Sequence, residues 1–149
     1  MNTIGIEQKQ AEKLTKELNS LLANYQLFYQ NLRAFHWNVT GERFFELHVK
    51  FEEMYTRANE SIDEIAERIL TLEGKPISFF SGYLKHSIIK EHVGMRQARD
   101  MVAATLEGLK TLIQSERSIL ANAAEVEDEG TVALMSDYIK IQEKDTWML

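Results

Sequence analysis

The sequence contains no cysteine and only one proline among its 149 residues. Without cysteine there are no disulfides, thiolate metal sites or thiol nucleophiles, and the strong metal ligands reduce to His, Asp and Glu. One proline and seven glycines are too few turn-formers to punctuate a sandwich or barrel of many short strands. No apolar run approaches the length of a membrane span. Positive charge is scarce as well: 17 basic against 23 acidic side chains leave a net charge of −6, which repels phosphate backbones and anionic lipid. Residues 1–15 alternate polar and apolar around Glu7 and Glu12, with no basic or apolar stretch suited to secretion, so a cytoplasmic protein is expected. What is present, 44% hydrophobic and 27% charged residues, suits one all-helical globular domain over residues 1–149.

Apolar residues recur at helical spacing from Ile6 through Ala11, Leu14, Leu18, Leu21, Tyr25, Phe28, Leu32 and Phe35, which predicts one long helix ending near Asn38 to Gly41. A second stripe starts after Gly41 and runs from Phe44 through Phe51, Met54, Ile62, Ile65 and Leu70 until Gly74 and Pro76 stop it. Residues 77–92 are too irregular for a long helix, although one or two turns fit around Phe79 to His86. A third pattern runs from Met95 to Leu120, and a fourth, after Gly130, carries Val132, Met135, Tyr138 and Ile141. Two hairpins joined by a long middle connection describe a ferritin-like four-helix bundle with one crossover that carries a short helix. Phe28, Phe51, Met54 and Met101 are assigned to its core.

Among the four histidines, only His48 has a carboxylate four residues away, Glu52, on the same helical face. Further along the same helix Asp63 and Glu67 repeat the spacing. Like charges so placed repel, so a cation between them has a reason to be there. Glu52 and Asp63 are eleven residues apart, which returns them to within about 20° of one direction but separates them by roughly 16 Å along the axis. One straight helix cannot close both pairs around a single metal site. Two copies lying antiparallel across a two-fold axis near Arg57 and Ala58 would bring the His48 and Glu52 end of one against the Asp63 and Glu67 end of the other, making two identical sites. His36, just before the turn at Gly41, is placed to join His48. Mixed nitrogen and oxygen ligands suit Fe(II) or Zn(II) better than Ca(II) or Mg(II). A di-iron centre inside one bundle is disfavoured, because Glu-x-x-His is absent: positions 33, 45, 83 and 89 hold Arg, Phe, Tyr and Ile.

Three segments, Phe35-His36-Trp37-Asn38-Val39-Thr40-Gly41, Phe44-Phe45-Glu46-Leu47-His48 and Ile62-Asp63-Glu64-Ile65-Ala66-Glu67-Arg68, resemble the signature of the Dps-like mini-ferritins. The spacings between these segments, and helix order and length over nearly the whole chain, are similar as well. The resemblance implies a metal site between subunits, with His36, His48 and Glu52 from one and Asp63 and Glu67 from its two-fold mate. At position 52 the family usually carries aspartate, so Glu52 is a longer arm. Trp37 resembles a family tryptophan near the iron, a local electron donor; an aromatic core anchor is the other reading.

The resemblance further implies a homo-oligomer, a hollow dodecamer that takes ferrous iron and hydrogen peroxide as substrates. Such a ferroxidase, an oxidoreductase acting on iron, stores the ferric product as mineral and protects against oxidative damage, with zinc a possible competitor. Two alternatives stand beside it. Some family members compact DNA through lysine-rich tails, but here Lys9 and Lys13 are balanced by Glu7 and Glu12, so DNA binding is not expected. The other is a structural helix bundle without metal chemistry. The acidic run Glu125, Glu127, Asp128 and Glu129 reads either as a pore that concentrates cations or, more economically, as a solvated loop. His86 and His92 lack helical carboxylate partners and are given surface or hydrogen-bonding roles.

Overall fold

A computed structural model describes all 149 residues of the chain. Five helices follow one another: α1 (Gln8–Asn38), α2 (Phe44–Thr71), α3 (Phe80–His86), α4 (Ala98–Glu125) and α5 (Glu129–Met148). The fold is all-α, as the periodicity predicts, and α3 is the short helix of the crossover. The third pattern begins at Ala98 rather than Met95, since Thr40 and Gln97 form a lone β-bridge just before it. No helix is long and apolar enough to cross a membrane.

The stripes bury as their spacing requires. Leu18, Leu21 and Leu32 of α1, Phe51, Ile65 and Ile69 of α2, Met101, Leu112 and Ile119 of α4 and Met135 of α5 are almost wholly excluded from solvent. Each such large side chain contributes roughly 1.5–3 kcal/mol relative to exposure. Phe28, Phe51, Met54 and Met101 lie in this core. Leu70 and Ile141, which share the periodic stripes, are exposed instead, together with Phe45, Val49, Phe79, Phe80 and Leu84. Periodicity reports that a residue faces something apolar, whether its own core or another surface.

The crossover between α2 and α4 is held along α1 by three asparagines. Asn19 donates to the carbonyl of Lys75 and accepts from the Ile77 amide. Asn24 Oδ1 accepts from the Ser87 hydroxyl and from the amides of Ile88 and Ile89. Asn31 donates to the Lys90 carbonyl and accepts from the His92 amide. These side chains supply the partners that an irregular, partly buried backbone needs. The hairpin between α1 and α2 turns at Gly41, whose φ of 100° a side chain would strain.

The acidic turn between α4 and α5 corrects the expectation made for it. Glu125, Glu127 and Glu129 are exposed, but Asp128 is buried. It caps α5 by accepting from the Thr131 amide at 3.1 Å, and it accepts from Arg68 of α2 at 2.6 Å. Asp128 is therefore neither part of an open funnel nor of a solvated loop; the orphan amides at a helix start and a guanidinium compete successfully with water for it.

Candidate metal centre

Residues on either side of the α1–α2 turn form half of the candidate site. Thr40 turns its amide away to the Arg96 carbonyl, so the His36 carbonyl in the last turn of α1 is open to another donor. His48, in the second turn of α2, fills that vacancy. Nδ1 of His48 lies 2.7 Å from the His36 carbonyl, and Nδ1 of His36 lies 2.6 Å from the His48 carbonyl. A carbonyl oxygen only accepts, so each Nδ1 carries the hydrogen. The neutral tautomer this selects has its lone pair on Nε2, the form that binds a metal.

The two imidazoles stack with centroids 3.7 Å apart and planes 13° from parallel. Phe44 stacks on the outer face of His48 at 4.9 Å, and Tyr55 sets its ring edge-on to His36 at 5.4 Å. Phe44 and Tyr55 thus flank the two candidate ligands, which stack on each other. Phe44 opens the apolar stripe of the second helix; the signal that it and Tyr55 flank histidines is their spacing from His48, four before and seven after.

Glu52, one turn beyond His48, is exposed. Asp63 and Glu67 are also exposed and adjacent near the other end of α2. Hydrogen bonding to Asp63, followed by the repulsion of its charge, raises the Glu67 carboxyl above its usual range. Two carboxylates so close repel each other, and a cation between them would relieve that repulsion. Neighbouring Glu64 is otherwise engaged, accepting from the Tyr138 hydroxyl at 3.1 Å.

The chain brings His36 to His48 and Asp63 to Glu67, but it does not bring the two pairs together. His48 and Asp63 are fifteen residues apart on one helix, or about 22 Å along its axis. No three His, Asp or Glu side chains of one chain gather as a metal site. Trp37 is 56% exposed, which rules out its reading as a core anchor; the Arg33 guanidinium lies 4.9 Å from the centre of its ring. His86 directs Nδ1 to the Gly82 carbonyl, and the His92 ring lies 6.0 Å from that of Phe35.

Comparison with known proteins agrees with this architecture. The ferritin-like domain family matches residues 15–149. The crystal structure of a Dps protein from Vibrio cholerae O1, described as a member of a broad superfamily of ferritin-like diiron-carboxylate proteins, superposes with a TM-score of 0.97 at 53% identity, covering 99% of this chain and 93% of that one. The DNA protection during starvation protein of Porphyromonas gingivalis is 42% identical over 149 residues, covering all of this chain and 94% of the relative. A Dps protein from Bacillus brevis has a TM-score of 0.92 at 35% identity, covering 96% of each chain. With its five-helix order and with matches that span nearly its whole length, the chain belongs to the ferritin-like family, in the Dps group.

Proposed function

We propose that two-fold-related copies of this chain bind ferrous iron between them and oxidise it with hydrogen peroxide, the ferric product being stored as mineral inside a hollow shell of twelve copies. His36, His48 and Glu52 of one copy face Asp63 and Glu67 of the other. The observation that carries this reading is the division of α2: a tautomer-locked imidazole pair near one end and a mutually repelling carboxylate pair near the other, each incomplete alone. Antiparallel pairing of two such helices completes two sites at once. The exposed Phe45, Val49, Phe79, Phe80 and Leu84 supply apolar surface for contacts between copies.

The chemistry follows from the ligands. Neutral Nε2 atoms accept Fe(II) without releasing a proton, whereas the carboxylates favour the more highly charged Fe(III) product. Two ferrous ions supply the two electrons that reduce one peroxide, with two protons, to two waters, so no hydroxyl radical is released. Iron is the substrate here. Zn(II) fits the same nitrogen and oxygen donors, has no accessible redox step, and competes. The names of the relatives, which speak of protection during starvation, support a protective role. The test is an anaerobic Fe(II) titration followed by peroxide in stopped flow: the wild-type protein oxidises iron rapidly, and His36→Ala with Asp63→Ala abolishes the rapid phase. An unchanged initial rate in the double variant would refute the assignment.

A further inference from the structure

The middle of the bundle holds a carboxyl group that iron oxidation does not use. Glu116 of α4 is fully buried. Its Oε2 accepts from the Tyr25 hydroxyl of α1 at 2.6 Å and from Nε2 of Gln142 of α5 at 3.2 Å, and that same Nε2 also reaches the Tyr25 oxygen. The remaining oxygen, Glu116 Oε1, has no partner, and neither has Oε1 of Gln142.

No positive charge compensates this group. Glu116 belongs to no ion pair, while Lys50 and Arg57 of α2 are both bound to Asp145 of α5. The Tyr25 partner is uncharged, and Tyr138, whose ring packs on Tyr25, donates its hydroxyl away to the Ser61 carbonyl and to Glu64, an anion. A carboxylate buried with one bare oxygen and no cation is among the least favourable arrangements a core can hold. Two bare acceptors on an acid and an amide that already share one hydrogen bond lack a single hydrogen between them.

We infer that Glu116 is an uncharged carboxylic acid whose Oε1 proton is donated to Oε1 of Gln142, and that this acid–amide pair is a latch between α4 and α5 that tightens as the pH falls. Burial pushes the Glu116 carboxyl up to about 8, in the same direction as the geometry requires. Between the ordinary glutamate range, about 4.3, and that value, the folded chain binds one proton more than the unfolded chain. Stability from this group is complete below the window, declines as pH rises through it, and levels off above it. Ion pairs behave in the opposite sense, since acid breaks them by protonating the carboxylate. The latch thus offsets, in acid, what the surface pairs lose.

The experiment uses the full-length protein. Infrared spectra in heavy water at pH 7 should show a protonated-carboxyl stretch that exchanges slowly, disappears on titration past pH 8, and is missing from Glu116→Gln, whose amide can donate in place of the acid proton. The thermal midpoint of the wild-type protein, relative to Glu116→Gln, should fall by about 4 °C per pH unit between pH 5 and 8 and then level off. Absence of the slowly exchanging band at pH 7, or parallel pH profiles for the two proteins, overturns the inference. If Glu116→Gln does not fold, the wild-type infrared titration decides alone.

Discussion

Arg68 and Asp128 join the two hairpins one residue beyond Glu67: Nη2 of Arg68 donates to Oδ1 of Asp128 at 2.6 Å, and Nε donates to the Thr131 hydroxyl at 2.9 Å. The same carboxylate caps α5. One side chain from the acidic turn therefore positions the carboxylate-bearing end of α2 against the start of α5, and Gly130 leaves the guanidinium its place, since a Cβ there would lie 2.6 Å from Nη1.

Asp128→Ala removes a cap and strands a largely buried guanidinium. The expected loss is about 3–5 kcal/mol of stability, read as a thermal midpoint lowered by roughly 10 °C. Asp128→Asn keeps an acceptor for the cap and should lose less. Alanine at exposed Glu125 or Glu129 should move the midpoint by no more than a degree or two, since surface substitutions usually change stability by under about 0.5 kcal/mol. Differential scanning calorimetry of the four variants orders them.

A site divided between copies has a stoichiometric signature. His36→Ala and Asp63→Ala proteins are each inactive alone in rapid peroxide-dependent iron oxidation. Mixed and reassembled, they should recover activity, because each mixed pair keeps one site with all five side chains and one lacking both His36 and Asp63. Equal mixing gives mixed pairs half of the time, so about a quarter of wild-type sites return. Failure to recover any activity in a verified mixed assembly would place the ligands within one copy.

The ring clamp predicts effects on affinity with the fold retained. Tyr55→Leu frees one face of His36, and Phe44→Leu one face of His48. Groups that orient metal-binding histidines typically matter by about 10–100-fold in affinity or activity. Anaerobic Fe(II) titration should show weakening in the lower part of that range, while helical circular dichroism is unchanged.

Gly108→Ala tests packing of α4 against α1 at a position outside the proposed ligand set. A Cβ there would come within 2.7 Å of Cδ1 of Phe28, a buried ring in the core. Overpacking of this kind costs about 1–3 kcal/mol. The thermal midpoint should drop by several degrees while the initial iron-oxidation rate per folded site stays the same.

Charge predicts weak association with DNA. The net charge is −6, and Lys9 and Lys13 sit among Glu7 and Glu12. A gel shift at physiological salt should show no stable complex with duplex DNA; a tight complex that dissolves steeply with added salt would show that the few cations are gathered on one outer surface.

Sequence alone determined the helices and the separation that keeps the two proposed ligand pairs apart within one chain. Both follow from fixed repeats, 3.6 residues per turn and about 1.5 Å per residue, which act on side-chain pattern without knowledge of partners. It marked His36, His48, Glu52, Asp63 and Glu67 by spacing and by the three motif segments. Tertiary structure decided what spacing does not encode. Leu70 follows the same periodic pattern as Ile69 and Ile65 yet faces outward, and Asp128 resembles its acidic neighbours yet is buried under Arg68. The lone pairs of His36 and His48 were settled by carbonyls twelve residues away, and the crossover by Asn19, Asn24 and Asn31. Such hydrogen bonds depend on where one helix ends relative to another, a distance in space that no local pattern carries.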